Sequence, residues 1–313
     1  MKKIVLMLFF YVSFVYSAAA VSSGTSSFDF MRLDVGARMS ALAGAGTSST
    51  VPDSFSFYYN PALSAYVPHI DISLAHMEYL ENLRNENINA VFKVNNSYRI
   101  GIGIMYMYAN DFIHTVSAEN IEGFSIIGKF SYYDLMAVVN NSFILSKYLI
   151  GGINIKYVSE KIYLETADGV LFDIGVKNRE KLFGIIEMGV SVENMGESVK
   201  FVDKKEKVPL IVRGGLSSGF SLFNINTMHN DIALFADIVK EIEYNLSVNF
   251  GLEFWAFDII SIRGGYKLNI DSSRLSDITV GLGINYDKFE LGYAFIPFDY
   301  FGNTHRISLN IRL

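Results

Sequence analysis

The chain has 313 residues, a formal net charge of −6, no cysteine, and a composition that is 50% hydrophobic but only 19% charged. Without cysteine there is no disulfide framework and no thiolate metal site, and the acidic balance argues against a nucleic-acid face, which needs clustered Lys and Arg. Beyond the N-terminus no run reaches the eighteen or more apolar residues of a spanning helix. A closed β-barrel is then the form in which so apolar a chain can enter a bilayer, where unpaired backbone groups cost several kcal/mol each.

In chain order, residues 1–20, MKKIVLMLFFYVSFVYSAAA, have the three parts of a secretory signal: Lys2 and Lys3, a short apolar run from Ile4 to Tyr16, and small residues from Ser17 to Ala20. They predict export. Residues 21–67 follow with two unusual stretches. VGARMSALAGAG, Val35 to Gly46, is rich in small residues, and SFYYNPALSAY, Ser56 to Tyr66, contains an Asn-Pro step that marks a turn.

From residue 68 to 313 the pattern changes to period-two alternation. Along Tyr98 to Tyr108, Ile100, Ile102 and Ile104 share a face with tyrosines while Arg99, Gly101, Gly103, Met105 and Met107 share the other. Likewise Leu246 and Val248 alternate with Asn249 and Glu253, Ile262 with Arg263, and Val280 with Gly281. The apolar faces often begin or end in Tyr or Phe, and the polar faces are mostly Gly, Ser and Asn. That is the pattern of a lipid-facing stripe with aromatic girdles around a polar lumen. Fourteen strands are predicted, beginning near Ile70, Ile88, Tyr98, Tyr132, Leu149, Asp168, Gly184, Val208, Asp231, Tyr244, Ile259, Ser276, Phe289 and Thr304. With both barrel termini periplasmic, the short links fall on the periplasmic side, and the longer ones, 110–131 and 196–207, on the outer side. The link 219–230 is long for its side. Trp255 reads as an interfacial anchor. The last strand, THRISLNIRL, must pair with the first to close the wall.

VGARMSALAGAG and SFYYNPALSAY, followed by NIKYVSE, VLFDIGVK, VENMG, VPLIVRGG and THRISLNIRL, resemble in their order the PorV/PorQ family, distant relatives of the FadL long-chain fatty-acid transporters. Tyr59 stands where the family often has Trp, and the Gly after Ala62 is missing. The resemblance implies an all-β transmembrane barrel of about 14 antiparallel strands with an N-terminal luminal hatch. The hatch residues are Val35, Gly36, Ala37, Arg38, Gly44, Gly46, Tyr59, Asn60 and Pro61. Inward glycines, Gly101, Gly103, Gly175, Gly251, Gly281 and Gly283, would leave room for it.

Arg99, Lys156, Asp173, Lys177, Glu187, Arg213, Glu253, Arg263 and Arg306 are expected to line the lumen, since Arg or Lys on the lipid face costs roughly 2–4 kcal/mol at mid-bilayer. The five histidines show no metal-binding spacing, and the Gly-x-Gly steps lack the context of a nucleotide loop. The reading carries no catalytic residue, no metal and no cofactor: it is not an enzyme. It is an outer-membrane barrel whose partners are outer-membrane lipid and the barrel-assembly machinery. The preferred function is FadL-like passive uptake of hydrophobic or amphipathic small molecules, with apolar groups on the outer loop 110–131 as a capture site. The alternative is an accessory of type IX secretion that binds secreted proteins.

Overall fold

The computed structural model of the chain describes residues 27–313 apart from 52, 118–122, 202–203, 226–227, 243–245, 271–276 and 299–301. The signal and the first residues of the 21–67 segment lie outside the described residues. Sixteen strands follow one another: β1 (Ile70–Glu78), β2 (Arg84–Lys93), β3 (Tyr98–Ser117), β4 (Phe124–Ile144), β5 (Leu149–Ile162), β6 (Glu165–Asn178), β7 (Glu187–Met195), β8 (Val199–Phe201), β9 (Lys204–Glu206), β10 (Ile211–Ile225), β11 (Met228–Glu241), β12 (Leu246–Ala256), β13 (Ile260–Asn269), β14 (Asp277–Tyr286), β15 (Phe289–Phe298) and β16 (Gly302–Arg312). The strands are built from β-branched and aromatic residues that alternate with small or polar ones, the pattern that suits a pleated surface with two different environments.

Fourteen of the strands form a closed antiparallel barrel, and β8 and β9 form a separate hairpin. Sequence neighbours pair throughout; β7 pairs with β10 across the β8–β9 hairpin. Closure joins β1 to β16, with Asp71 opposite Arg312, Leu74 opposite Leu309 and Glu78 opposite His305. Closure leaves no strand edge to aggregate or to face hydrocarbon. The end of the barrel at which Ile70 and Arg312 lie is called the near end below, and the opposite one the far end.

Ile100, Ile102, Leu246, Val248, Ile262 and Val280 lie on the outer surface, and Arg99, Asn249 and Arg263, one residue away, are buried inside. Every predicted barrel strand has its counterpart, but several boundaries move. The predicted outer loop 110–131 is largely strand: β3 and β4 continue their pairing past Ala109 and Tyr132, through a bulge at Asn110 and Asp111, to Ser117 and Phe124. A bulge inserts a residue without ending the ladder, so the polar Asn-Asp step interrupts the alternation but not the strand. The long link 219–230 is likewise strand, paired up to Ile225 and Met228. The link 196–207 holds the β8–β9 hairpin. The seventh strand starts at Glu187 rather than Gly184, because Phe183 and Gly184 turn the chain with φ of 53° and 78°. The eighth starts at Ile211 rather than Val208, past Pro209, which has no N–H for the ladder. Trp255 is not an interfacial anchor: it shares the inward face with Glu253, and the Arg263 guanidinium lies 5.4 Å from its ring centre.

Candidate functional site

Residues 27–67 run through the barrel from the far end to the near end. At the far end, the Ser27 N–H donates to Lys207 O at 3.1 Å and the Phe28 N–H to the Glu160 carboxylate at 2.8 Å. At the near end, Arg99 donates to Val67 O at 3.2 Å, and Lys177 donates to the Tyr66 hydroxyl at 3.0 Å. Between these points nearly every side chain is buried.

The Asn-Pro step has a specific geometry. Asn60 is extended and its side-chain oxygen accepts from the Ala62 N–H at 3.0 Å; Pro61 begins the 3-10 turn Pro61–Tyr66. This is an N-cap followed by proline at the first helical position, where the missing N–H costs nothing. The Asn60 amide also donates to Thr47 O at 3.0 Å and to Val176 O at 3.1 Å, so one side chain ties two parts of the luminal segment to the wall strand β6. Wall glycines make the approach possible. A methyl group at Gly175 would collide with the Asn60 side chain, and one at Gly152 with the Pro61 backbone. Gly103, Gly251 and Gly281 similarly face Tyr58, Leu42 and Ala41. Gly101 and Gly283 do not serve the segment: the space above them is taken by wall side chains, Asn140 and Val91 at the first, Ser261 and Arg263 at the second.

Upstream, Gly36 has φ 75° and starts the one-turn helix α1 (Ala37–Ala41). The Val35 N–H donates to the Tyr59 hydroxyl at 2.8 Å, and the Ala37 N–H to Ser308 Oγ at 3.3 Å. Gly44 has φ 73°, and Gly46 lies against the Met39 thioether. Arg38, on α1, grips Glu253 on β12 through Nε at 2.9 Å and Nη2 at 2.6 Å. Burial works against the Arg38 charge, and the Glu253 carboxylate compensates it. Asp53 lies 3.9 Å from Arg38.

The charged wall residues anticipated from the sequence are all inside, and the structure supplies their partners. Arg263 joins Glu253 at 2.7 Å to Glu290 at 2.6 Å. Lys156 meets Asp173 at 2.7 Å, Arg213 meets Glu193 at 3.1 Å, and Lys177 meets Glu187. Arg306 donates to Asp34 O at 2.7 Å and to Ser40 Oγ, and Arg99 caps the carbonyls of Val67, Asn95 and Asn96. Sequence reading missed Asp71, Glu193, Asp237 and Glu290. All four have the inward parity of their strands, which was the available signal. Asp71 accepts from the Ser54 N–H at 2.7 Å, and Asp237 from the Thr47 N–H at 2.9 Å, so both fasten the luminal segment.

The lumen has a second character. The inner faces of β2 to β6 carry Val91, Met105, Met107, Met136, Val138, Val158 and Leu171, all buried against Phe28, Phe30, Phe55, Phe57 and Tyr58 of the luminal segment. Thioethers on a wall are adaptable and take up irregular apolar shapes. The luminal segment is therefore fastened by hydrogen bonds all round the wall, with Asn140 on β4 donating to Pro61 O and Asn154 on β5 to Phe57 O, while its aromatic side chains also pack on the apolar residues of β2–β6. The apolar residues of the predicted capture loop, Phe112, Ile113, Phe124, Ile126 and Ile127, project beyond the far end on the β3–β4 hairpin; Ile121 lies outside the described residues. Phe112 stacks on Phe130.

No family model and no curated protein sequence matches the chain. Solved structures do. The toluene transporter TodX of Pseudomonas putida aligns over 88% of this chain and 96% of its own, with a TM-score of 0.59 and 13% identity. The toluene transporter TbuX of Ralstonia pickettii aligns over 89% and 98%, with a TM-score of 0.56 and 11% identity. A FadL homologue of Pseudomonas aeruginosa aligns over 89% and 98%, with a TM-score of 0.50 and 9% identity. The chain thus has the fold of a FadL-like fourteen-stranded β-barrel.

Proposed function

We propose that this protein is an outer-membrane channel for the passive passage of hydrophobic or amphipathic small molecules, and that residues 21–67 are its hatch. The observation that carries the reading is the apolar track on β2–β6. Polar lumens are the rule for barrels whose interior is water-filled, whereas here Val, Met and Leu stand among the inward polar residues of β2–β6 and pack against aromatic and aliphatic side chains of the luminal segment. An apolar solute that displaces those side chains finds Val91, Met105, Met107, Met136, Val138, Val158 and Leu171 on that part of the wall. The similar structures, toluene transporters and a FadL homologue, support the same class of cargo. The apolar outer face and its aromatic rims support a bilayer position, and export by the signal at 1–20 supports the outer membrane. The PorV/PorQ-type secretion accessory has no feature among the described residues in its favour.

The test locks the hatch. A Cβ built on Gly292 lies 3.3 Å from the Ala37 Cβ, within adjustment of the distance a disulfide needs. In this cysteine-free chain the pair A37C/G292C should close under oxidation. Uptake of a hydrophobic probe by cells or proteoliposomes should fall when the pair is oxidised and return on reduction. Probe uptake indifferent to the lock, with surface delivery of secreted cargo impaired, would support the accessory reading instead.

A further inference from the structure

The near end carries a one-sided basic rim. Lys93 ends β2 on the inward face it shares with Arg99, and the next two near-end turns, between β4 and β5 and between β6 and β7, hold Lys147, Arg179 and Lys181. Glu180 is the one acid within these turns; Glu187, which follows, is buried and already engaged by Lys177. Lys93, Lys147 and Arg179 form no ion pair among the described residues, and Lys181 has only Glu187 at 3.9 Å. The opposite side of the same rim is different: its turns carry Asp258, paired with His229 at 3.1 Å, and Asp287 beside Lys288.

Backbone hydrogen bonds stitch the three turns into one surface. The Lys93 N–H donates to His69 O at 2.7 Å, the Ile144 N–H to Ser97 O at 2.9 Å, and the Arg179 N–H to Tyr148 O at 2.9 Å. The backbones that carry these turns are thus tied to one another. Large apolar side chains are exposed at the same level, including Phe143, Leu145, Tyr148, Leu149 and Phe183, and they continue the apolar outer wall without a break. The Lys147 ammonium lies 4.7 Å from the Tyr148 ring centre.

We infer that this arc binds the anionic headgroups of phospholipids in the leaflet at the near end. The inference rests on the membrane reading given above. Cations just beyond an apolar belt with interfacial tyrosine meet a phosphate layer at its natural depth. An acidic soluble partner would need the cations but not the exposed Leu145, Leu149 and Phe183 beside them. The proposal follows from the continuity of the basic arc with the lipid-facing wall.

The absence of cysteine permits a direct test in the full-length protein. A depth-reporting fluorophore is placed on L145C, within the arc, and separately on L291C, on the far side of the barrel. The labelled proteins are folded into vesicles of phosphatidylcholine with increasing fractions of brominated phosphatidylglycerol or brominated phosphatidylcholine. At L145C, half-quenching should need about fivefold less brominated phosphatidylglycerol than brominated phosphatidylcholine, the effect of about one surface cation near a charged leaflet. At L291C the two lipids should quench alike. The variant K93Q/K147Q/R179Q/K181Q should lose the preference at L145C. Equal quenching by both lipids at L145C, equal preference at both sites, or a preference that survives in the variant overturns the proposal. So does competition by inorganic phosphate beyond that of chloride at matched ionic strength, which would make the arc a free-anion site. Heat-modifiable mobility separates the two readings: a chain that never inserts sinks the membrane reading, whereas an inserted barrel without lipid preference sinks only the arc.

Discussion

Arg38 and Glu253 meet side by side inside the barrel, two guanidinium nitrogens on two carboxylate oxygens at 2.9 and 2.6 Å, although 215 residues separate them in the chain. The fork geometry suits arginine and not lysine. Glu253 also accepts from Arg263, so Glu253→Gln leaves two buried guanidiniums undercompensated; breaking such a pair costs about 3–5 kcal/mol. Glu253→Gln should therefore unseat the luminal segment while the wall stays closed. Trypsin cleavage after Arg38 in the folded protein should appear in the variant and not in the parent. A variant as resistant as the parent would show that this pair does not hold the segment.

Asn60→Ala should loosen the turn while preserving the barrel. It removes the cap on Ala62 and two donors to the Thr47 and Val176 carbonyls. Loss of an N-cap alone costs about 0.5–2 kcal/mol. Gly175→Ala should act from the other side, since the added methyl meets the Asn60 amide. Single-channel conductance should rise in both variants, and deletion of residues 35–64 should raise it further. Unchanged conductance in the deletion, with normal assembly, would mean that the segment is no plug.

On the outer face, Ile262→Arg puts a charge toward hydrocarbon at a position 52% exposed and two residues inside the strand end, at a cost between about 1 kcal/mol near the interface and the roughly 2–4 kcal/mol of the midplane. Its urea midpoint in vesicles should fall, and Ile262→Phe should be neutral. An arginine tolerated as well as phenylalanine would show that this strand face does not meet lipid.

The wall was legible because a strand that separates two environments must alternate, and Ile100, Ile102 and Ile104 do so against Arg99, Gly101 and Gly103. The Asn110-Asp111 step was not, because a bulge and a loop have the same polar composition; only pairing with Phe130 and Lys129 beyond it distinguishes them. Met105 and Met107 have the parity of luminal residues, yet their apolar nature gained meaning only when Phe57 and Tyr58 were seen against the same wall. The inward charges could be assigned a side from parity, but not a partner. Which carboxylate meets Arg213 depends on strand register across β7 and β10, which alternation does not specify.

The route of residues 27–67 also bears on the order of assembly. This segment precedes every wall strand in the chain, whereas β16, which carries Arg306 and seals the ring against β1, is the last of them. Arg306 reaches the Asp34 carbonyl and Ser40, so the sealing strand also grips the segment that emerged first. The wall thus closes around a core that precedes it in the chain, as a hoop is closed on a mandrel. A ring sealed without that core would have Arg38's seat on Glu253 and the glycine clefts of β5 and β6 standing open, and threading the segment in afterwards would require passage through a mouth already framed by the β8–β9 hairpin.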